Sequence, residues 1–131
     1  MKRIEKLIKS AQDVLKFAYA PYSKFKVGAA ILTKKGKIYT GANIENVSYG
    51  LSICAERIAL YKALVDGAKD FSAIAIYTPT KNFTYPCGAC RQVLAEFNPN
   101  IYVLLINQKG AIKQFTLSQL LSFPFLKRHL K

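Results

Sequence analysis

Three cysteines and one glutamate are the residues of this chain whose types and spacing suit chemistry. Cys87 and Cys90 form a Cys-x-x-Cys pair, Cys54 stands apart, and Glu56 follows Cys54 by two positions. A Cys-x-x-Cys pair puts two sulfurs within reach of one zinc ion at about 2.3 Å each, and the tetrahedral ion asks for further ligands. Cys54 would supply the third. Three protein ligands with one open position is the catalytic pattern, and four closed ligands the structural one. A structural site needs another donor. There is no fourth cysteine, and the single histidine, His129, lies beside Arg128 near the end of the sequence. The spacing favours an open catalytic zinc over a closed site of three cysteines and one histidine.

Glu56 falls in the first turn of a predicted helix, where an acidic residue is favoured by the helix dipole alone. Next to a three-thiolate metal site it has a second use. A carboxylate there can stand beside the metal without ligating it and accept a proton from water bound to it. Three thiolates and Zn2+ sum to minus one, which would weaken the ion's ability to acidify that water. Helix N-termini would offset part of the charge. Arg57 and Arg91, close to the cysteines in sequence, could offset more by donating hydrogen bonds to sulfur.

The elements that must position these residues follow from periodicity. Ile58, Leu60, Tyr61, Leu64 and Val65 continue a helical pattern from Cys54, and Gly67 ends it. Cys87 and Cys90 open a second helix through Val93, Leu94 and Phe97, stopped by Asn98-Pro99-Asn100. Both sites of cysteine are helix starts, whose unpaired N–H groups favour thiolate over thiol. Ile4, Leu7, Ile8, Ala11, Leu15 and Ala18 mark an amphipathic first helix, ended by Ala20-Pro21-Tyr22-Ser23. Residues 27–33 and 38–43 read as strands of a hairpin turning at Lys34-Lys35-Gly36-Lys37. Residues 71–78, 101–106 and 112–115 read as further strands, the second apolar enough to be buried on both faces, and 117–121 as a short helix. Two strands followed by helix, strand, helix, strand imply an α/β sandwich: a mixed sheet with helices on both faces.

Composition bounds the rest. The 131 residues suit one domain, 1–131, and 51% of them are hydrophobic, enough for a real core. No apolar run approaches the roughly 20 residues of a membrane span. The start, Met1-Lys2-Arg3-Ile4-Glu5-Lys6, is charged and amphipathic, unlike a secretion signal, so the expected location is the cytoplasm. Cysteines in that compartment point to metal binding or catalysis, not to a disulfide framework. The net charge of +13 favours an anionic partner. However, Lys34, Lys35 and Lys37 surround a turn glycine, Lys127, Arg128 and Lys131 sit in the tail, and most other basic residues are isolated. With no basic block or one-sided basic helix, the pattern argues for background charge and against a nucleic-acid footprint. An RNA-binding module with structural zinc is the rival from another class, and it would require His129 as a ligand.

Cys54-Ala55-Glu56 followed by Pro86-Cys87-Gly88-Ala89-Cys90-Arg91-Gln92 resembles the cytidine deaminase family, in which a glutamate that does not ligate the zinc moves the protons. The first ligand is cysteine, as in the small three-cysteine nucleoside deaminases, whereas polynucleotide and tRNA deaminases carry His-Ala-Glu. Tyr22-Ser23-Lys24-Phe25-Lys26-Val27-Gly28-Ala29-Ala30 is similar to the family's N-terminal motif, and Asn43-Ile44-Glu45-Asn46 to its ribose-binding segment. The resemblance implies a three-layer α/β/α sandwich on a mixed sheet of about five strands, with one Zn2+ per subunit on Cys54, Cys87 and Cys90. It implies that Glu56 is catalytic, that Phe25 packs on the pyrimidine, that Asn43 and Glu45 bind the ribose, and that the backbone at Ala55 helps read the base. The implied reaction is hydrolytic deamination of cytidine, and of deoxycytidine, in pyrimidine salvage. It further implies a homotetramer whose neighbouring subunits complete each site through Val47, Tyr49 and Phe125. Val47 stands where alanine is usual and Tyr85 where serine is usual, and Ser122-Phe123-Pro124 shuffles the expected segment. These departures bear on the subunit-shared pocket, not on zinc or Glu56. Another aminopyrimidine, such as a nucleoside antibiotic, stays open as the substrate.

Overall fold

Small and β-branched residues dominate the predicted strands, and in the computed structural model they assemble into one sheet. Residues 2–130 are described; Met1 and the tail residue Lys131 lie outside them. β1 (Gly28–Thr33) and β2 (Ile38–Ala42) form the expected hairpin, with Gly36 at φ +96° in the left-handed conformation that glycine adopts without a Cβ penalty. β3 (Phe71–Tyr77), β4 (Tyr102–Ile106) and β5 (Ile112–Thr116) complete the five-stranded order β2-β1-β3-β4-β5. Only β3 and β4 pair in parallel; the other neighbours are antiparallel. The sheet is therefore mixed, as expected. Every residue of β1 is buried, which accounts for its unbroken apolar run.

Alternate residues of each strand face opposite layers. On one face Ala30, Leu32, Ala73, Ala75, Leu104 and Ile106 receive Leu7 and Ala11 of α1 (Lys2–Asp13). On the other, Ile31, Ile74, Ile76, Val103 and Leu105 pack with Ala59, Leu60 and Ala63 of α2 (Ala55–Val65) and Leu94 and Ala95 of α3 (Gly88–Phe97). The α/β/α layering follows. A short α4 (Leu117–Leu120) carries a capping box between Thr116 and Gln119. No helix of the described residues is long and apolar enough to cross a membrane.

The first helix ends earlier than its periodicity predicts. The α-helix stops at Asp13 and one 3-10 turn, Val14–Phe17, follows. The backbone just beyond is recruited elsewhere: the Tyr19 N–H bonds to Asn43 O at 2.9 Å and the Glu45 N–H to Tyr19 O at 2.8 Å. Those extended pairings satisfy backbone groups that a longer helix would have used. Strand ends differ from expectation by a residue at Val27, Asn43, Thr78, Ile101 and Thr116, and the short helix stops one residue early, at Leu120; the Val27 N–H is bonded to the Asn43 side chain instead of a strand partner.

Glycine sets how closely two helices approach the sheet. A Cβ on Gly28 would lie 2.1 Å from Ala11 O of α1, and one on Gly41 would lie 2.5 Å from both Ala55 O and Ala59 N of α2. At Gly41 the obstruction is backbone, which cannot swing aside. Gly41→Ala should therefore cost about 2 kcal/mol or more, read as a lowered melting temperature. Gly50→Ala, where a Cβ meets nothing within 4 Å, is the matched control, expected within about 0.5 kcal/mol of the parent. Equal melting temperatures for the two variants would show that α2 is not seated on β2 in this way.

Candidate active site

Cys54 is the N-cap of α2 and Cys87 the N-cap of α3, both with extended backbone and neither making a side-chain capping bond. That position favours Ser, Thr, Asp or Asn because their oxygens cap the helix. A thiol is a poor cap, so these sulfurs are free to face one another. Cys54 Sγ and Cys87 Sγ lie 3.7 Å apart. Cys90, in the first turn of α3, completes a group whose three sulfurs all lie within 4.8 Å of each other. Ligands about 2.3 Å from a tetrahedral zinc stand about 3.8 Å apart, so the spacing suits one such ion and is far too long for a disulfide.

The charge state of the sulfurs also suits a cation. Cys54 is drawn down to about 5 by its contact with the Cys90 thiol, aided by Arg57 and Cys87 against the cost of burial. Cys90 moves the other way, above the ordinary thiol range, through the same contact and its burial. The sulfurs thus share protons that a bound metal would displace. Among the described residues, these cysteines are the group able to hold a metal. His129 is engaged elsewhere: its Nδ1 accepts the Leu126 N–H at 2.8 Å and its ring stacks on Phe125.

The two arginines part company. Arg57 Nη2 donates to Cys54 Sγ at 3.5 Å, and the Cys54 contact raises the guanidinium's pKa further; its Nε is buried without a partner. Arg91 does not reach sulfur, contrary to expectation. Its Nε donates to Pro86 O at 2.7 Å and its Nη1 to Leu120 O at 2.6 Å. Competition for the guanidinium explains the difference. Arg57 is three residues from Cys54 and Arg91 four from Cys87, so both share a side with a cysteine, but the carbonyls of Pro86 and Leu120 claim Arg91. Arg91 secures the backbone leading into α3.

Glu56 is 5% exposed, and burial raises its carboxyl to about 7, opposed mainly by its own backbone N–H. A carboxylate held near neutrality can both take and give a proton. Ala55, fully buried, is the first residue of α2, where backbone N–H groups lack intrahelical partners.

Phe25, Asn43 and Glu45 come together in one loop junction. Asn43 Oδ1 accepts the Val27 N–H at 2.9 Å and its Nδ2 donates to Phe25 O at 2.8 Å. Glu45 Oε1 accepts the N–H groups of Tyr22 and Ser23 at 3.0 and 3.1 Å, and the Ser23 hydroxyl bonds its other oxygen. That hydroxyl is the main reason the Glu45 carboxyl lies below its usual range. Both side chains therefore build the segment carrying Phe25, a duty the sequence did not announce, and Ser23, known from sequence only as a member of its motif, joins them. An amide N–H and carboxylate lone pairs remain for a ligand. Pairing of Ile44 with Ile53 sets this segment beside Cys54.

Val47, Tyr49 and Phe125 are 76%, 72% and 60% exposed, so none is consumed by its own core. Tyr49 leans on Tyr22 with ring centroids 5.9 Å apart. Gln92, given no role by the sequence beyond its place in the motif, donates from Nε2 to Phe125 O at 2.7 Å. The basic charge gathers partly at the other end of α2, where Lys34, Lys35, Lys37 and Lys69 line a cavity of about 750 Å³ with Asp66 and Asp70. Lys69 joins the hairpin lysines only through the fold.

Comparison with known proteins agrees with this geometry. The family model for the cytidine and deoxycytidylate deaminase zinc-binding region matches residues 1–105. A cytidine deaminase of Halalkalibacterium halodurans is 52% identical over 120 residues, covering 91% of each chain. One of Sporosarcina psychrophila is 48% identical over 128 residues, covering 97% of this chain and 94% of its own. The crystal structure of cytidine deaminase from Burkholderia pseudomallei superposes with a TM-score of 0.89 at 46% identity, covering 92% of this chain and 98% of that one. Matched along most of its length in sequence and in fold, this chain belongs to the cytidine and deoxycytidylate deaminase zinc-binding family.

Proposed function

We propose that this chain is a hydrolytic cytidine deaminase, converting cytidine and deoxycytidine to uridine and deoxyuridine with release of ammonia, in pyrimidine salvage in the cytoplasm. The observation that carries the reading is the buried Glu56 carboxylate in contact with Cys90, one of three sulfurs spaced for one zinc. Zinc held by Cys54, Cys87 and Cys90 would lower the pKa of a water at its open position toward neutrality. Glu56 takes the first proton and delivers it to ring N3, making C4 open to attack by the water oxygen. It then carries the second proton to the amine, which leaves as ammonia. The balance closes: one water proton stays on N3 of the uracil ring and the other departs with nitrogen. One carboxylate serves as base and then as acid, which its position near neutrality favours.

Phe25 offers a ring to the pyrimidine face, Asn43 and Glu45 offer the remaining polar capacity to ribose hydroxyls, and the first-turn backbone at Ala55 reads the base edge. Arg57 withdraws charge from Cys54. The assembly is a homotetramer with one Zn2+ per subunit, each site completed by Val47, Tyr49 and Phe125 from neighbours. Supporting it are the exposure of those residues and an apolar cavity of about 710 Å³ on α2, lined by Tyr39, Ile53, Ile58, Tyr61 and the 89%-exposed Val65.

Glu56→Gln should keep one zinc per chain in native mass spectrometry while losing turnover by about 10²- to 10⁴-fold in an ultraviolet assay on cytidine. Substantial deamination by that variant would remove Glu56 from the proton-transfer role. Phe25→Ala should raise KM for cytidine about tenfold, with zinc content unchanged; an unaltered KM would place the ring outside the substrate site. Assays on cytidine, deoxycytidine, free cytosine and an aminopyrimidine antibiotic separate the substrates, and failure to turn over either cytosine nucleoside would sink the reading.

A further inference from the structure

Thr78 closes the carboxyl end of the strand run, 1% exposed, immediately after β3. A hydroxyl buried that deeply needs partners, and Thr78 Oγ1 has two: Thr80 Oγ1 and Thr84 Oγ1, each at 3.1 Å. Proton counting fixes the direction of both bonds. Each hydroxyl owns one proton. Thr80 gives its proton to Asn82 O at 2.9 Å, so Thr78 must donate to Thr80, and Thr84 must donate to Thr78. The result is a one-way chain, Thr84 to Thr78 to Thr80 to Asn82, with no proton left over.

The chain spans the loop that runs from β3 to Cys87. Near its start the loop is tied to the sheet by Gln108 N–H to Thr80 O at 2.9 Å and Asn107 Nδ2 to Lys81 O at 3.2 Å. At its end Arg91 holds Pro86 O. From the strand side, the Thr84–Thr78 bond is the polar tie that reaches furthest toward Cys87. Cys87 is an N-cap whose side chain makes no capping bond to the helix, so the path of this loop largely decides where its sulfur points.

We propose that the Thr78 hydroxyl is a positioning group for Cys87, fixing through Thr84 the loop that presents this sulfur to zinc. The inference rests on the reading of Cys87 as a zinc ligand. It is a role at one remove: Thr78 touches neither sulfur nor substrate. Loss of the hydroxyl leaves a donor on Thr84 and an acceptor on Thr80 unmatched, and the loop is free to relax between Lys81 and Pro86.

Two substitutions separate the hydroxyl from the packing around it. Thr78→Val keeps the shape and removes the chain; Thr78→Ser keeps the chain and removes a buried methyl. Zinc release from the loaded protein to a chromophoric chelator should be about tenfold faster in Thr78→Val and near the parent rate in Thr78→Ser, although the serine variant melts lower. Thr84→Val should match Thr78→Val, and the double variant should add little, because both remove one unit. Parent-like release from Thr78→Val overturns the inference, as does release that simply tracks melting temperature in both Thr78 variants, or full additivity of the two valines. A parent protein that takes up no zinc would overturn the zinc reading itself, and this inference with it.

Discussion

Everything at the candidate site depends on two helix N-termini arriving at one place on one face of the sheet. Strand order makes that arrival unavoidable. β2 and β3 are each antiparallel to β1, so they run parallel to one another, and β3 runs parallel to β4. The β2–α2–β3 and β3–α3–β4 connections therefore both cross between parallel strands, and both step in the same direction along β2-β1-β3-β4. Such crossovers are right-handed almost without exception, which puts α2 and α3 on the same face, starting at the same edge. Residues capping the two helices must then be neighbours. Cys54 and Cys87 occupy those caps, and Cys90 needs only one further turn.

Once the sulfurs are gathered, the electrostatics is governed by distance from the helix starts. The unpaired N–H groups and the partial positive charge of two helices offset thiolate charge at no cost in side chains. Arg57 adds a full charge at the edge of the cluster. Glu56 is then the lone carboxylate inside a buried neighbourhood that already holds sulfur charge, and burial raises its pKa. Water exclusion and charge placement thus act on the same residue. The close seating of α2 on β2 at Gly41 serves that end, since a helix held further out would leave Glu56 open to solvent.

The sequence made the metal ligands legible because their signal is local: a Cys-x-x-Cys spacing, a cysteine and glutamate on one helix turn, and apolar periodicity that located both helices. The hairpin was legible for the same reason, through Gly36. What escaped depends on partners distant in sequence. Periodicity alone carried the first helix on to Ala18, since nothing in residues 14–18 announces that Tyr19 will pair with Asn43 and Glu45. Arg91 was assigned to sulfur by its closeness in sequence, but the carbonyls of Pro86 and of the distant Leu120 claim it. Strand order was silent, because a run such as Phe71–Tyr77 looks the same whichever strands flank it. The threonine chain was invisible for a plainer reason: three hydroxyls spread over residues 78–84 look like ordinary loop polarity until the fold buries one of them.

In the proposed function, Asn43 and Glu45 layer recognition on architecture. Both spend most of their hydrogen-bonding capacity on the backbone of residues 22–27, so the aromatic platform at Phe25 is fixed before any ligand arrives. Binding then need not order that loop, which lowers the entropic cost of recognition. The three cysteines and Glu56 sit on helix starts locked to the sheet, while Phe25, Asn43 and Glu45, the residues proposed to bind base and ribose, sit on loops fastened by side chains. That division leaves the helix starts rigid and the loops open to change: Val47, Tyr85 and the 122–124 segment all lie in loops, and none of them lies on α2 or α3.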